Sequence, residues 1–180
     1  MIPGKCRVIP PGFAPVAATI SFYRFHSKNF IVKEKPGKVI LIAEDEGLIA
    51  LEMMEFLERE GYRVPAPVPS GEEAVAWCRA NPSPDLILMD VTLAGKIDGI
   101  EAARRIREHH WVPVIILTAR DDDRTVRRIR ELAPQGYLVK PASRGELLAC
   151  ISLILGSCGR QGSGKAGAGA YGDSRGQTGQ

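Results

Sequence analysis

Five polar side chains each stand where a short apolar run ends. Glu44 and Asp45 follow residues 39–43, Asp90 closes Asp85-Leu-Ile-Leu-Met-Asp90, Thr118 closes residues 112–118, and Lys140 follows residues 136–139. If those four runs are strands of one sheet, three carboxylates, a hydroxyl and an ammonium converge. Three like charges held within a few ångströms destabilise one another unless a cation is supplied, and a hard divalent ion resolves the conflict. Mg2+ takes an octahedron of oxygens and keeps several waters, so two carboxylates and a backbone carbonyl leave positions open for a phosphoryl oxygen. Thr118 then donates a hydrogen bond to the phosphoryl group, and Lys140 meets its charge as a point cation. The chemistry that fits is phosphoryl transfer with Asp90 as nucleophile, giving an acyl phosphate. Asp90 needs no general base, because a carboxylate is already ionised.

The elements that must position these groups follow from the hydrophobic pattern. Val39-Ile-Leu-Ile-Ala43 is a continuous run that suits a strand buried on both faces of a parallel sheet. Ile49, Met53, Phe56 and Leu57 then fall at helical spacing with Glu52, Glu55, Glu58 and Arg59 opposite, and Gly61 stops that helix. Residues 62–66 read as a strand, placed at an edge by Pro65. Ser70-Gly-Glu-Glu73 carries a capping signature for a helix running to about Ala80. A strand over 85–90, a helix over 100–108 and a strand over 112–118 come next. Asp121, Asp122 and Asp123 open a helix that presents Val126, Ile129 and Leu132 inward. A strand over 136–139 and a helix lined by Leu147, Leu148, Ile151, Ile154 and Leu155 complete the series. Strict alternation of five strands and five helices predicts a doubly wound α/β sandwich with right-handed crossovers. Such sheets carry their reactive groups at the carboxyl ends of the strands, where these five stand.

In order along the chain, Val39-Ile-Leu-Ile-Ala-Glu-Asp-Glu46, Asp85-Leu-Ile-Leu-Met-Asp90, Asp98-Gly-Ile-Glu-Ala102, Ile116-Leu-Thr-Ala119 and Gly136-Tyr-Leu-Val-Lys-Pro141 resemble the receiver domain of two-component response regulators. The resemblance covers residues 38–156 and neither tail. It implies a flavodoxin-like five-stranded parallel sheet of order 2-1-3-4-5 with helices on both faces. By the same resemblance, Asp90 is the phosphoacceptor, Asp45 the principal Mg2+ ligand, Glu44 a ligand acting through water, and the Thr92 main-chain carbonyl the last protein ligand. Thr118 is implied as the hydroxyl that moves toward the phosphoryl group, Lys140 as the cation with a cis bond to Pro141, and Tyr137 as the aromatic switch. The implied donor is a histidine kinase or histidine phosphotransfer protein. The loop Val91-Thr-Leu-Ala-Gly-Lys-Ile-Asp-Gly99 is one residue longer than the commoner receiver loop, resembling a longer-loop subgroup, and has Ala94 where Pro is frequent. Ala142 stands where an aromatic is common.

The 180 residues, 44% hydrophobic, suffice for one ordinary globular domain. Charge divides unevenly. Residues 1–37 carry six Lys/Arg against one acid and 157–180 three against one, so the net +3 belongs to the ends and the stretch between them is acidic. Nucleic-acid binding is therefore not expected from the overall basicity. Residues 1–37 read as a poorly ordered basic extension, in which 19–25 form a candidate short strand, and the Gly-rich 157–180 read as a flexible tail. No run of some eighteen apolar residues exists, and Pro3, Pro10, Pro11 and Pro15 interrupt any leader, so a cytoplasmic protein without a membrane span is expected. Four cysteines and three histidines stand at no zinc spacing. Arg120, Arg124, Arg127, Arg128 and Arg130 read as a solvated face offset by nearby acids.

The expected function is a phosphorylation-controlled interaction module rather than an enzyme. Its chemistry is limited to its own phosphorylation and dephosphorylation. Because 24 Gly-rich residues cannot form an effector domain, output is expected through an unidentified protein partner, onward phosphoryl transfer, or a homodimer formed by the fourth helix, fifth strand and fifth helix. The competing reading is a Mg2+-dependent phosphohydrolase on a related sheet. Such enzymes favour an Asp-x-Asp pair after the first strand, which Glu44-Asp45-Glu46 does not offer.

Overall fold

The computed structural model describes residues 7–8, 37–119 and 122–158. Four parallel strands, β2 (Ile40–Ala43), β3 (Leu86–Asp90), β4 (Val114–Thr118) and β5 (Gly136–Val139), pair in that order. A two-residue strand, β1 (Arg7–Val8), pairs antiparallel with Gly136 and Tyr137 on the free side of β5. The helices are α1 (Gly47–Arg59), α2 (Gly71–Ala80), α3 (Gly99–Arg107), α4 (Asp123–Leu132) and α5 (Arg144–Cys158).

Alternate strand residues enter two different cores, as the two-residue period of a strand requires. Leu41, Ile87, Met89, Val114 and Ile116 pack with Cys78 of α2, Ile106 of α3 and Ile129 of α4. Ile40, Ile42, Leu88, Ile115 and Leu138 pack with Leu57 of α1 and with Ile151 and Leu155 of α5. A sheet covered on both faces needs apolar residues at every strand position, which is why the strands read as unbroken runs. Burying one Leu or Ile side chain stabilises by about 1.5–3 kcal/mol, so the two cores hold the scaffold rigid beneath the strand ends. Cys78 and Cys150 are ordinary buried members of these cores, and burial pushes the Cys78 thiol up to about 11.

Residues 62–66 correct the expectation of a fifth regular parallel strand. This segment does lie beside β2, where the order 2-1-3-4-5 puts it, but residues 62–68 pair with residues 39–43 only as isolated bridges, Arg63 to Val39 and Val68 to Ala43. The Ile40 N–H donates to the Arg63 carbonyl at 2.9 Å, and the Val68 N–H to the Ile42 carbonyl at 3.0 Å. Five steps from Arg63 to Val68 run against four from Val39 to Ala43, so one residue bulges out. Pro65 and Pro67 between the bridges have no N–H to give. Proline also trims β4, expected from residue 112, which begins after Pro113.

Caps fix the helix starts. The Ser70 hydroxyl accepts from the Glu73 N–H at 3.2 Å and donates to Glu73 Oε1 at 2.8 Å. Asp122 accepts from both the N–H and the hydroxyl of Thr125, at 3.0 and 2.8 Å. Each such cap contributes about 1 kcal/mol. Arg120, Asp121, the candidate strand 19–25 and residues 159–180 lie outside the described residues. Among the described residues no helix is long and apolar enough to cross a membrane.

Candidate functional site

The register of β2 on β3 sets Ala43 beside Met89, which brings the next residues, Glu44 and Asp90, level. Both are buried, at 2% and 5% exposure, whereas Asp45 is exposed at the rim. One carboxylate oxygen from each of Glu44, Asp45 and Asp90 lies within 4.8 Å of the other two. Lys140, immediately after β5, crosses to this cluster. Its Nζ donates to Glu44 Oε2 at 2.6 Å and to Asp90 Oδ2 at 2.5 Å. Its own N–H donates to the Thr118 carbonyl at 2.7 Å, and the Lys140–Pro141 peptide bond is cis. Thr118 is buried and ends β4, whose neighbouring Leu117 is the register partner of Asp90. Tyr137 is buried in β5 within the core shared by Ile116, Ile129 and Leu132. Thr92 is exposed, and its N–H donates to Asp90 Oδ1 at 3.0 Å.

The electrostatics show an anionic site that one ammonium does not balance. Burial pushes the Glu44 carboxyl above its ordinary value, Asp90 adds to the rise, and the hydrogen bond from Lys140 opposes it without cancelling it. Burial alone lowers the ammonium of Lys140, but hydrogen bonds to Asp90 and Glu44 outweigh it and hold Lys140 above its usual value. The donor set is oxygen only, two buried carboxylates and an exposed one, which suits a hard divalent cation.

The loop after β3 is held by the start of α3 and by an ion pair that reaches α4. A Cβ on Gly99 would lie 1.8 Å from the Asp90 carbonyl oxygen and 2.9 Å from Met89 Cγ, so only glycine fits where α3 starts beneath the strand end. Asp98 caps α3 by accepting from the Glu101 N–H at 2.9 Å, and it also pairs with Arg128 of α4 at 2.6 and 3.0 Å. Arg128, which the charge pattern assigns to a solvated face, thus has a specific partner thirty residues away. The Asp98-Gly99 dipeptide was visible, but nothing in the sequence pointed across to Arg128. On the other side of the site, Ile49, Met53, Phe56, Pro141, Ala142 and Leu147 line a hollow beside Lys140.

A doubly wound parallel sheet with an acid pair, an aspartate and a lysine converging at its carboxyl edge defines a receiver-type domain. The chain belongs to the response regulator receiver domain family, whose family model matches residues 40–152. It is 40% identical over 116 residues to the transcriptional regulatory protein PdtaR of Mycobacterium tuberculosis, covering 64% of this chain and 56% of that protein. It is 37% identical over 120 residues to the alkaline phosphatase synthesis transcriptional regulatory protein PhoP of Bacillus subtilis, covering 66% and 49%. The chain therefore spans about half the length of the curated relatives it matches. Among solved structures it resembles the N-terminal domain of a response regulator/sensory box/GGDEF three-domain protein from Carboxydothermus hydrogenoformans, at TM-score 0.63 and 33% identity over 69% of this chain and 98% of that one. It also resembles the receiver domain of a sensor histidine kinase from Pseudomonas aeruginosa PAO1, which has a magnesium ion coordinated in its active-site cleft. There the TM-score is 0.61 with 32% identity, over 67% of this chain and 98% of that one.

Proposed function

We propose that residues 38–156 are the phosphoacceptor module of a two-component phosphorelay and that Asp90 accepts the phosphoryl group. The observation that supports this most is the single ammonium of Lys140 within hydrogen-bond reach of Glu44 and Asp90 together, with Asp45 beside them. The donor is a phosphohistidine of a kinase or phosphotransfer protein. An Asp90 carboxylate oxygen forms the new bond to phosphorus, the phosphorus–nitrogen bond breaks, and the electron pair leaves with the imidazole. Lys140 turns from Asp90 toward the transferred oxygens, and the Thr118 hydroxyl donates to one of them. Glu44, Asp45, Asp90 and the Thr92 carbonyl are the residues that would hold Mg2+, which when bound neutralises charge on the phosphoryl oxygens. The Thr118 movement draws Tyr137 with it, altering the face of α4, β5 and α5, where Arg7–Val8 pair along β5, toward a protein partner or a second copy. Residues 1–37 and 157–180 flank this module, apart from Arg7–Val8, which pair with β5, and the end of α5 at Cys158.

The test is incubation of the chain with acetyl phosphate and Mg2+. One hydroxylamine-labile phosphoryl group per chain is expected, absent from D90N. Labelling that survives in D90N, or sustained hydrolysis of varied phosphate esters, would refute the reading in favour of another acceptor or a phosphohydrolase.

A further inference from the structure

The longer loop after β3 is tied down by a carboxylate from a different element. Glu72, in the first turn of α2, accepts the Lys96 N–H on Oε1 at 2.8 Å. Its second oxygen, Oε2, is shielded from solvent and has no hydrogen-bond partner. Gly95, at φ +99°, lies against it: an added Cβ there would stand 2.4 Å from that oxygen. The glycine therefore does two things: it takes the left-handed turn, and it leaves room for the carboxylate to seat against the backbone. Two further contacts join α2 and the turn before it to the loop. The Ala94 N–H donates to the Pro69 carbonyl at 3.1 Å, and a Cβ on Gly71 would lie 2.8 Å from the Ile97 carbonyl oxygen. Glu72 itself is held below the usual carboxylate range, chiefly by the Lys96 N–H, so it is ionised at neutral pH.

The far end of this loop is Thr92, two residues past Asp90. Between the Thr92 N–H on Asp90 and the Gly99 N–H on the Val91 carbonyl, the segment 93–97 is anchored from outside through Pro69 and Glu72. We infer that Glu72 is a positioning residue for the metal-binding loop: by gripping the backbone at Lys96 it holds residues 92–97 so that the Thr92 carbonyl faces the acidic cluster. The inference rests on the reading of Thr92 as a metal ligand. Groups that orient ligands without touching the metal commonly account for tenfold or more in affinity.

The experiment is a MgCl2 titration of the 15N-labelled chain followed by amide shifts, with hydrogen exchange of the Lys96 amide read in parallel. E72A is expected to weaken Mg2+ binding about tenfold and to speed exchange at Lys96. E72Q, which keeps an acceptor oxygen, restores both. E73A removes the partner of the Ser70 hydroxyl, so it lowers the melting temperature without changing the Mg2+ affinity. Unchanged affinity in E72A, or equal weakening in E73A, overturns the positioning role. Failure of the parent chain to bind Mg2+ at all overturns the metal reading beneath it.

Discussion

Gly99 lies against the backbone of Asp90 so closely that a methyl group there would fall 1.8 Å from the Asp90 carbonyl oxygen. Helix α3 therefore starts in contact with the strand end that carries the acceptor. G99A is expected to destabilise the fold by about 3 kcal/mol, since neither strand nor helix can shift cheaply. G145A, in the first turn of α5 with open space around it, should instead stabilise by about 0.5–1 kcal/mol. Urea unfolding of both variants checks the contrast, and effects of the same sign would contradict the packing described.

Lys140 is the counter-charge of two buried carboxylates, so K140M leaves them facing each other. In Mg2+-free buffer at pH 8 the loss should be about 3 kcal/mol, recovered in part when MgCl2 is added. The sign with pH follows from Glu44. Its folded-state pKa lies above its unfolded value, so protonation favours the fold, and stability falls as pH rises from the ordinary glutamate value through the raised one. K140M should steepen that fall. Unfolding curves at pH 5 and pH 8 that differ no more than the parent's would count against it.

The Asp98–Arg128 pair makes the opposite pH prediction. Burial pushes the Asp98 carboxyl up, but the hydrogen bonds from Arg128 and the Glu101 N–H outweigh it and hold it below its ordinary value. Its contribution is therefore complete above about pH 4 and is lost as pH falls through the lowered folded-state value. R128A should cost about 1 kcal/mol at pH 7 and flatten the acid side of the stability profile. Thermal melts between pH 2.5 and 7 provide the measurement.

The conformational path from Asp90 is open to a direct check. Beryllofluoride with Mg2+, a stable mimic of the acyl phosphate, should shift the amides of Thr92, Thr118 and Tyr137 in the parent chain. In T118A the Thr92 shift should persist while the Tyr137 shift shrinks. Equal Tyr137 shifts in both proteins would remove Thr118 from the path.

The site's main groups were legible because strands buried on both faces leave an unbroken apolar signature, and each of Glu44, Asp90, Thr118 and Lys140 stands where one stops. Capping gave Ser70 for the same reason: its partner Glu73 is three residues away. What stayed hidden is what the fold brings together from afar. Glu72 meets Lys96 across 24 residues and Asp98 meets Arg128 across 30, and no local pattern encodes either. Residues 62–66 misled in a different way. Their apolar character is that of a strand, but regular pairing fails one backbone donor at a time, at Pro65 and Pro67.

That irregular margin beside β2 bears on how copies of the chain meet. A continuous outer strand offers a row of unsatisfied amides and carbonyls to any passing chain and invites growth into fibres. Here the outermost segment holds Pro65, Pro67 and Pro69 and a bulged residue, so a foreign β-segment approaching from that side finds too few donors to dock. High concentrations of a signalling protein can then build up without templated polymerisation on that flank.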